Sequence, residues 1–233
     1  MLNHWMKTRI LMLPIACLVA ACAQDPVIQT GPDAEVIGEG LHKVDNSRMD
    51  EAFVDPDVDF SSFDKLFIAQ LDVSDVEVIQ PPDDTALTAR KVEWVLTDDD
   101  RGFLQTTYAE KMMRYLIERG GYVLAEKPSD NVMVVRIAVQ QIAPTASKDD
   151  RESRGIGRSA VFTEGAGSIT IKGVIQDGGS GKVVAAFWDR KESAKHWGEN
   201  DRFHNKADVR NIFDYWAQLF QYRLDVINGK VGG

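Results

Sequence analysis

The sequence predicts an α+β fold, α/β-like in its layering. It is a mixed β-sheet with helices packed mainly on one face, in the order β-α-β-β-β-α, behind a signal peptide and a flexible tether. Three observations predict it. Val132 to Ile142 is a β-branched run long enough for a central strand. Two segments, one after Thr97 and one from Val209 to Ile227, carry apolar residues at three- and four-residue steps, the helical period. Ile169, Ile171, Gly173 and Ile175 alternate with Thr170, Lys172 and Val174, and a glycine-rich turn follows.

The chain opens with Lys7 and Arg9, then an apolar run from Ile10 to Ala21. About 20 residues are needed to span a bilayer core, and this run is shorter. Positive charge before it and small residues after it fit a cleaved signal. Pro14 within it removes a backbone donor and opposes a continuous core helix. Val19, Ala20, Ala21 and Cys22 resemble the bacterial lipobox position by position. That resemblance implies cleavage before Cys22, a diacylglyceryl thioether on its sulfur and acylation of its new N-terminus. Cys17 is the rival, but Pro14 stands where its motif wants an aliphatic residue. Met6 would make a normal start for the same signal. Ala23 after the cysteine, rather than aspartate, implies sorting to the outer membrane, periplasmic face. Several acyl chains make such an anchor stable, at about 0.8 kcal/mol per buried methylene.

Cleavage removes Cys17 and commits Cys22 to lipid, so the mature domain has no disulfide. Removing 21 residues from 233 leaves 212, suited to one domain with a tail. With Lys7 and Arg9 gone, 25 basic residues face 36 acidic ones, a net charge of about −11. An acidic body gains nothing from phosphate backbones, so no nucleic-acid role is expected. Membrane attachment then rests on the acyl chains.

The organisation expected is a signal peptide at 1–21, a lipidated N-terminus and tether at 22–50, and a single periplasmic domain at 51–230. The tether reading rests on Pro26, Gly31, Pro32, Gly38 and Gly40 and on the lack of periodicity. About 28 flexible residues would reach near 30 Å. The body opens with the strand Leu66 to Val73, continuing toward Val78 and Pro81-Pro82. Val92 to Leu96 is a short apolar piece, strand or helix. Thr97 and Asp100 then stand in capping-box spacing, and Asp98, Asp99 and Asp100 suit a helix dipole. Leu104, Tyr108, Met112 and Tyr115 share one helical face, and Gly120-Gly121 stops the helix. After Tyr122-Val123-Leu124 and the central strand, residues 143–167 read as a surface loop. Asp177-Gly178-Gly179-Ser180-Gly181 turns the hairpin, whose second strand is Val183 to Trp188. The last helix carries Val209, Ile212, Phe213, Trp216, Leu219, Phe220, Leu224 and Ile227 on one stripe, ending at Asn228-Gly229.

Chemistry is sparse. No nucleophile elbow or phosphate loop is present, and no catalytic residue and no cofactor are expected. Gly155-Ile156-Gly157 with Ala160 spells a dinucleotide loop, but no strand leads into it and no helix follows. His196, Glu199, Asp201 and His204 are the weak metal candidates; histidines eight apart suit no short zinc spacing. Asp55, Asp57 and Asp59 alternate like calcium ligands, but Phe60 stands where that loop needs glycine.

Three stretches together resemble a family of bacterial lipoproteins known only as domain of unknown function 3313. They are Phe63 to Ile68, the hairpin Ile171 to Asp189 with its Asp177-to-Val184 turn, and Trp216-Ala217 with Leu224-Asp225. The resemblance implies a lipoprotein domain over about residues 50–230 and carries no catalytic residue with it. More loosely, the element order is similar to small α/β lipoprotein domains of envelope machines, an analogy of fold alone. The expectation is a non-enzymatic membrane-anchored lipoprotein acting as an accessory, protein-binding component of an envelope complex. A metal-dependent periplasmic hydrolase centred on His196 and His204, and a small-molecule or glycan binder beside the Gly155 to Gly167 loop, are the alternatives.

Overall fold

The computed structural model describes residues 25–81, 93–145, 162–195, 197–199 and 202–230, with residues 162–164, 197–199 and 202–204 described as backbone only. Four strands come first: β1 (Val27–Ile28), β2 (Val36–Ile37), β3 (Leu41–Asp45) and β4 (Glu51–Val54). Then come β5 (Lys65–Ile68), β6 (Glu77–Val78) and helix α1 (Asp98–Met112). The helix widens into a π-helical stretch, Met113–Arg119, and β7 (Val123–Leu124) and β8 (Val132–Pro144) follow. The chain closes through β9 (Phe162–Glu164), β10 (Gly167–Asp177), β11 (Val183–Glu192), β12 (Trp197–Glu199) and helix α2 (Arg202–Ile227).

Ten strands form one mixed sheet in the order β1-β3-β4-β11-β10-β8-β5-β7, with β2 on β3 and β6 on β8; β9 and β12 pair separately. Strand β8 is central. It runs antiparallel to β10 and parallel to β5 and β6. Its alternate residues Met133, Val135, Ile137 and Val139 join the same buried cluster as Leu104, Tyr108, Met112 and Leu116 of the first helix and Phe213, Trp216 and Phe220 of the second. Period two on the sheet meets period 3.6 on both helices, and the helices cover that face.

The two helices lie side by side in the same direction. Lys206 of α2 sits over the Phe103 ring of α1, Lys111 Nζ and Tyr115 Oη both donate to Asp214, and Tyr122 Oη donates to Asp225. Burial pushes the Asp214 carboxyl up, but the bonds from Lys111 and Tyr115 win and hold it below the ordinary carboxylate range. The capping box forms as spaced: Asp100 N–H donates to Thr97 Oγ1 and Thr97 N–H to Asp100 Oδ2, both at 3.2 Å. The acidic triplet is a helix start.

Two expectations change. The stretch read as a flexible tether carries β1, β2 and β3 within its described part, and Leu41, the part of it expected with Val44 to dock on the body, is buried. Its glycines Gly31, Gly38 and Gly40 hold positive φ in the turns that join β1 to β2 and β2 to β3. The ladder partner, absent from local periodicity, decides the outcome there. Strand β10 also departs from one-faced burial, because Ser168 and Thr170 are buried along with Ile169 and Ile171. Arg190 Nε donates to Ser168 Oγ at 3.1 Å.

The hairpin turn is tied to β4's end. Asp177 Oδ1 accepts from the N–H groups of Gly179 and Ser180, each at 2.8 Å. Lys182 Nζ reaches Asp55 at 2.5 Å, where the Asp55 side chain is 6% exposed and that of Lys182 49%. The Lys182 bond, then the Asp57 N–H, hold the Asp55 carboxyl below its ordinary value. A depressed folded pKa contributes stability above the unfolded value near 3.8, and that contribution is lost as pH falls through the folded pKa. Lys182→Met is therefore expected to be less stable than wild type at neutral pH, with the gap closing below about pH 4. Urea unfolding at a series of pH values checks this; a gap that stays constant into acid refutes it.

Candidate functional site

The region best built to receive something is an apolar groove of about 430 Å³ at the N-terminal ends of both helices. Its floor is the adjoining ends of β8 and β10, at Ile142 to Pro144 and Ala166 to Ile169. Phe103 and Leu104 of α1 form one wall, and Val209 and Ile212 of α2 the other. The extended segment Trp94 to Thr97 closes the side beside Val78. That segment, expected to be a strand or helix, is neither. Gln80 holds it instead: Trp94 N–H donates to Gln80 Oε1 at 2.8 Å, and Gln80 Nε2 donates to the Trp94 carbonyl at 3.0 Å. One glutamine amide thereby replaces a strand partner for the wall.

The floor is held from behind. Ser193 Oγ accepts from the N–H groups of Ala166 (2.8 Å) and Gly167 (3.2 Å), and Asp208 Oδ2 also accepts from Ala166 N–H. Gly167 sits at φ +129, and a Cβ there would lie 2.2 Å from the Ala143 carbonyl oxygen. No larger residue fits that crossing. The glycines at the C-terminal side of the 143–167 loop thus set close backbone packing, and Gly155 and Gly157 lie outside the described residues.

The rim is charged while the interior is apolar. Asp99 and Asp100 mark one side. On the other, Lys206 lines the groove with its Nζ 4.5 Å from the centre of the Phe103 ring, and the Arg210 guanidinium stands 5.1 Å from that same ring. Cations over an aromatic face help hold that ring in place while their own charged heads stay in water. The interior polar side chain Asp208 is buried and already engaged with the floor. Such a site can hold an apolar group and orient it at a charged rim.

The sites expected from sequence fall as follows. Val19, Ala20, Ala21 and Cys22 lie outside the described residues, as do His196 and Asp201. Glu199 belongs to β12 and His204 to α2 by backbone alone. Among the described residues no group of three or more His, Cys, Asp or Glu could hold a metal ion. The alternating aspartates have other tasks: Asp55 pairs with Lys182, and Asp59 caps the turn at Ser61. Among the described residues no helix is long and apolar enough to cross a membrane. The groove residues Trp94, Phe103 and Ile142 were not singled out by sequence reasoning. The one signal available was Val92 to Leu96, an apolar piece with no period ahead of a strong helix start.

The fold is α+β, a mixed sheet backed by two parallel helices with the apolar groove at their N-terminal ends. By sequence the chain belongs to the family described as "Protein of unknown function (DUF3313)", matched over residues 39–220. No curated protein matches it. Among solved structures it is similar to protein XCC0632 from Xanthomonas campestris, at 15% identity and a TM-score of 0.42, covering 71% of this chain and 86% of that one. It is also similar to a minor lipoprotein from Acinetobacter baumannii, at 14% identity and a TM-score of 0.35, covering 72% of this chain and 95% of that one. The PelC dodecamer from Paraburkholderia phytofirmans is similar at 11% identity and a TM-score of 0.34, covering 68% and 89%. Likeness at that level says nothing of what this chain binds.

Proposed function

We propose that this chain is an outer-membrane lipoprotein, anchored through acyl chains on Cys22, whose periplasmic domain is a non-enzymatic accessory that binds an apolar element of another envelope protein. The observation that carries the binding role is the groove between the helix N-termini, apolar inside and charged at its rim. An apolar side chain or short helix face fills such a space, and Lys206, Arg210 and Asp99 give it orientation. The anchor rests on Val19-Ala20-Ala21-Cys22 behind a basic and apolar leader.

A photo-crosslinking amino acid at Val95, which lines the groove and is exposed, tests the binding role in intact cells. One discrete protein adduct, weakened by Phe103→Ala and absent when the crosslinker stands at exposed Val123, is the expected result. Adducts of equal strength at both positions refute it. The anchor is tested by radiolabelled palmitate, whose incorporation is expected to vanish in Cys22→Ser. A second reading, a small-molecule binder, is favoured by the groove's volume, which falls in the range of about 300–1,000 Å³ typical of ligand pockets, and by Ala166 and Gly167 in its lining. Native mass spectrometry of the purified protein showing a bound mass of a few hundred daltons would replace the protein partner with that ligand.

A further inference from the structure

We propose that the pole of the domain formed by Asp25 to Ile28, Asn46 to Arg48 and the last turns of α2 rests on the membrane surface, so that the groove opens away from it. The inference builds on the reading of Cys22 as the anchor.

Covalent geometry supplies the first step. Only Ala23 and Gln24 lie between Cys22 and Asp25, three Cα-to-Cα steps in all. Fully extended, they reach about 10 Å. Asp25 in turn is fixed to the folded body. Asn46 Nδ2 donates to its carbonyl at 3.4 Å, and β1 pairs Val27 with Asp45 and Ile28 with Val44. The Arg223 guanidinium donates to the Ser47 carbonyl at 2.8 Å, so this corner lies against the C-terminal part of α2. A lipid on Cys22 therefore holds the end of α2, and no long tether intervenes.

The length of α2 supplies the second step. Lys206 stands at the groove and Ile227 at the pole. Twenty-one residues at 1.5 Å each put them about 30 Å apart. Helix α1 runs alongside, with its capped start at the groove and Tyr122 beyond its far end on Asp225. Both helices thus point their N-termini at the end remote from residue 25.

The surface chemistry of the pole supplies the third. Val27 is 55% exposed, and Ile28, Tyr222 and Ile227 are also exposed. The Arg48 and Arg223 guanidiniums flank the Tyr222 ring at 5.4 and 5.6 Å from its centre. Exposed aliphatics, a tyrosine and arginines together are the mix that sits at a membrane interface, the ring at headgroup level and the guanidiniums on phosphate oxygens. Asp25 and Asp45 beside them keep the pole from being strongly basic, so the contact suits a mixed headgroup layer held by the anchor rather than an anionic lipid recruited by charge.

Fluorophores on Ile227→Cys and, separately, on Asp99→Cys read the orientation. The lipidated proteins are reconstituted into vesicles of phosphatidylethanolamine and phosphatidylglycerol carrying a headgroup spin label as quencher. Quenching several-fold stronger at position 227 than at 99 is the expected result. Equal quenching, or stronger quenching at 99, overturns the proposal. The mass of the N-terminal peptide reports separately whether Cys22 is acylated. If it is not, the anchor reading fails, and a histidine tag in place of residues 1–22, bound to a nickel-chelating lipid, reads the orientation of the pole by the same comparison.

Discussion

Asp189→Ala is expected to lower the unfolding free energy by about 3–5 kcal/mol, measured by urea denaturation. The Asp189 carboxylate is buried at 4% exposure in the middle of the domain. Its Oδ2 accepts from Trp216 Nε1 at 2.7 Å, and its Oδ1 accepts from the Asp50 N–H at 3.0 Å. Asp50 returns the contact, since its Oδ2 accepts from the Arg190 N–H at 2.9 Å. One side chain therefore joins α2, β11 and the entry to β4. Truncation strands the buried Trp216 indole N–H and the part-buried Asp50 N–H at once, and a donor left without a partner costs more than the bond it made. Trp216→Phe takes the donor from Asp189 Oδ2, leaves Oδ1 on the Asp50 N–H, and is also expected to destabilise. The double variant Asp189→Ala with Trp216→Phe separates this from simple loss of packing. It removes donor and acceptor together, so its cost should fall short of the summed single costs by about 1–3 kcal/mol. Strict additivity would show that the pair is not coupled.

That pair also shows what the sequence made legible. Asp189 ends the hairpin stretch and Trp216 begins the two-residue helix stretch that carry the family resemblance. Their meeting is a tertiary event that spacing along the chain does not encode. The helices were readable because their signals are local. Thr97 and Asp100 are three apart, and Leu104, Tyr108, Met112 and Tyr115 repeat at helical steps, and all four are buried. Strand β8 was readable from its β-branched composition, which suits the middle of a sheet. Strands β1 and β2 were not, since two residues carry no period and their stability comes from pairing with β3. The groove was hidden for a related reason. Its floor, walls and side come from segments spread from Val78 to Ile212, and its side wall stands on a glutamine amide rather than on a ladder.

Phe187→Ala is expected to cost about 3–5 kcal/mol, because it opens a cavity in the sheet-helix core that the strands cannot collapse to fill. Phe187 lies directly across from Gly173 in the β10–β11 ladder. Its ring covers that glycine so closely that a Cβ on residue 173 would come within 2.0 Å of Phe187 Cζ. The other side of the ring meets Phe220 of α2 edge-on, with centroids 5.2 Å apart and planes at 68°. The glycine therefore makes room for an aromatic that spans from its own strand's neighbour to the helix, and the edge-to-face pair adds to the area buried. Gly173→Ala alone should destabilise by about 1–3 kcal/mol through overpacking. The two changes act on the same space, so they should compensate. Gly173→Leu combined with Phe187→Ala refills part of the void from the opposite strand and should recover at least about 1 kcal/mol relative to Phe187→Ala. Thermal and urea unfolding of the single and double variants decide the matter. A double variant no more stable than Phe187→Ala would mean that the ring's contact with Phe220, and not its cover over the glycine, holds the helix to the sheet.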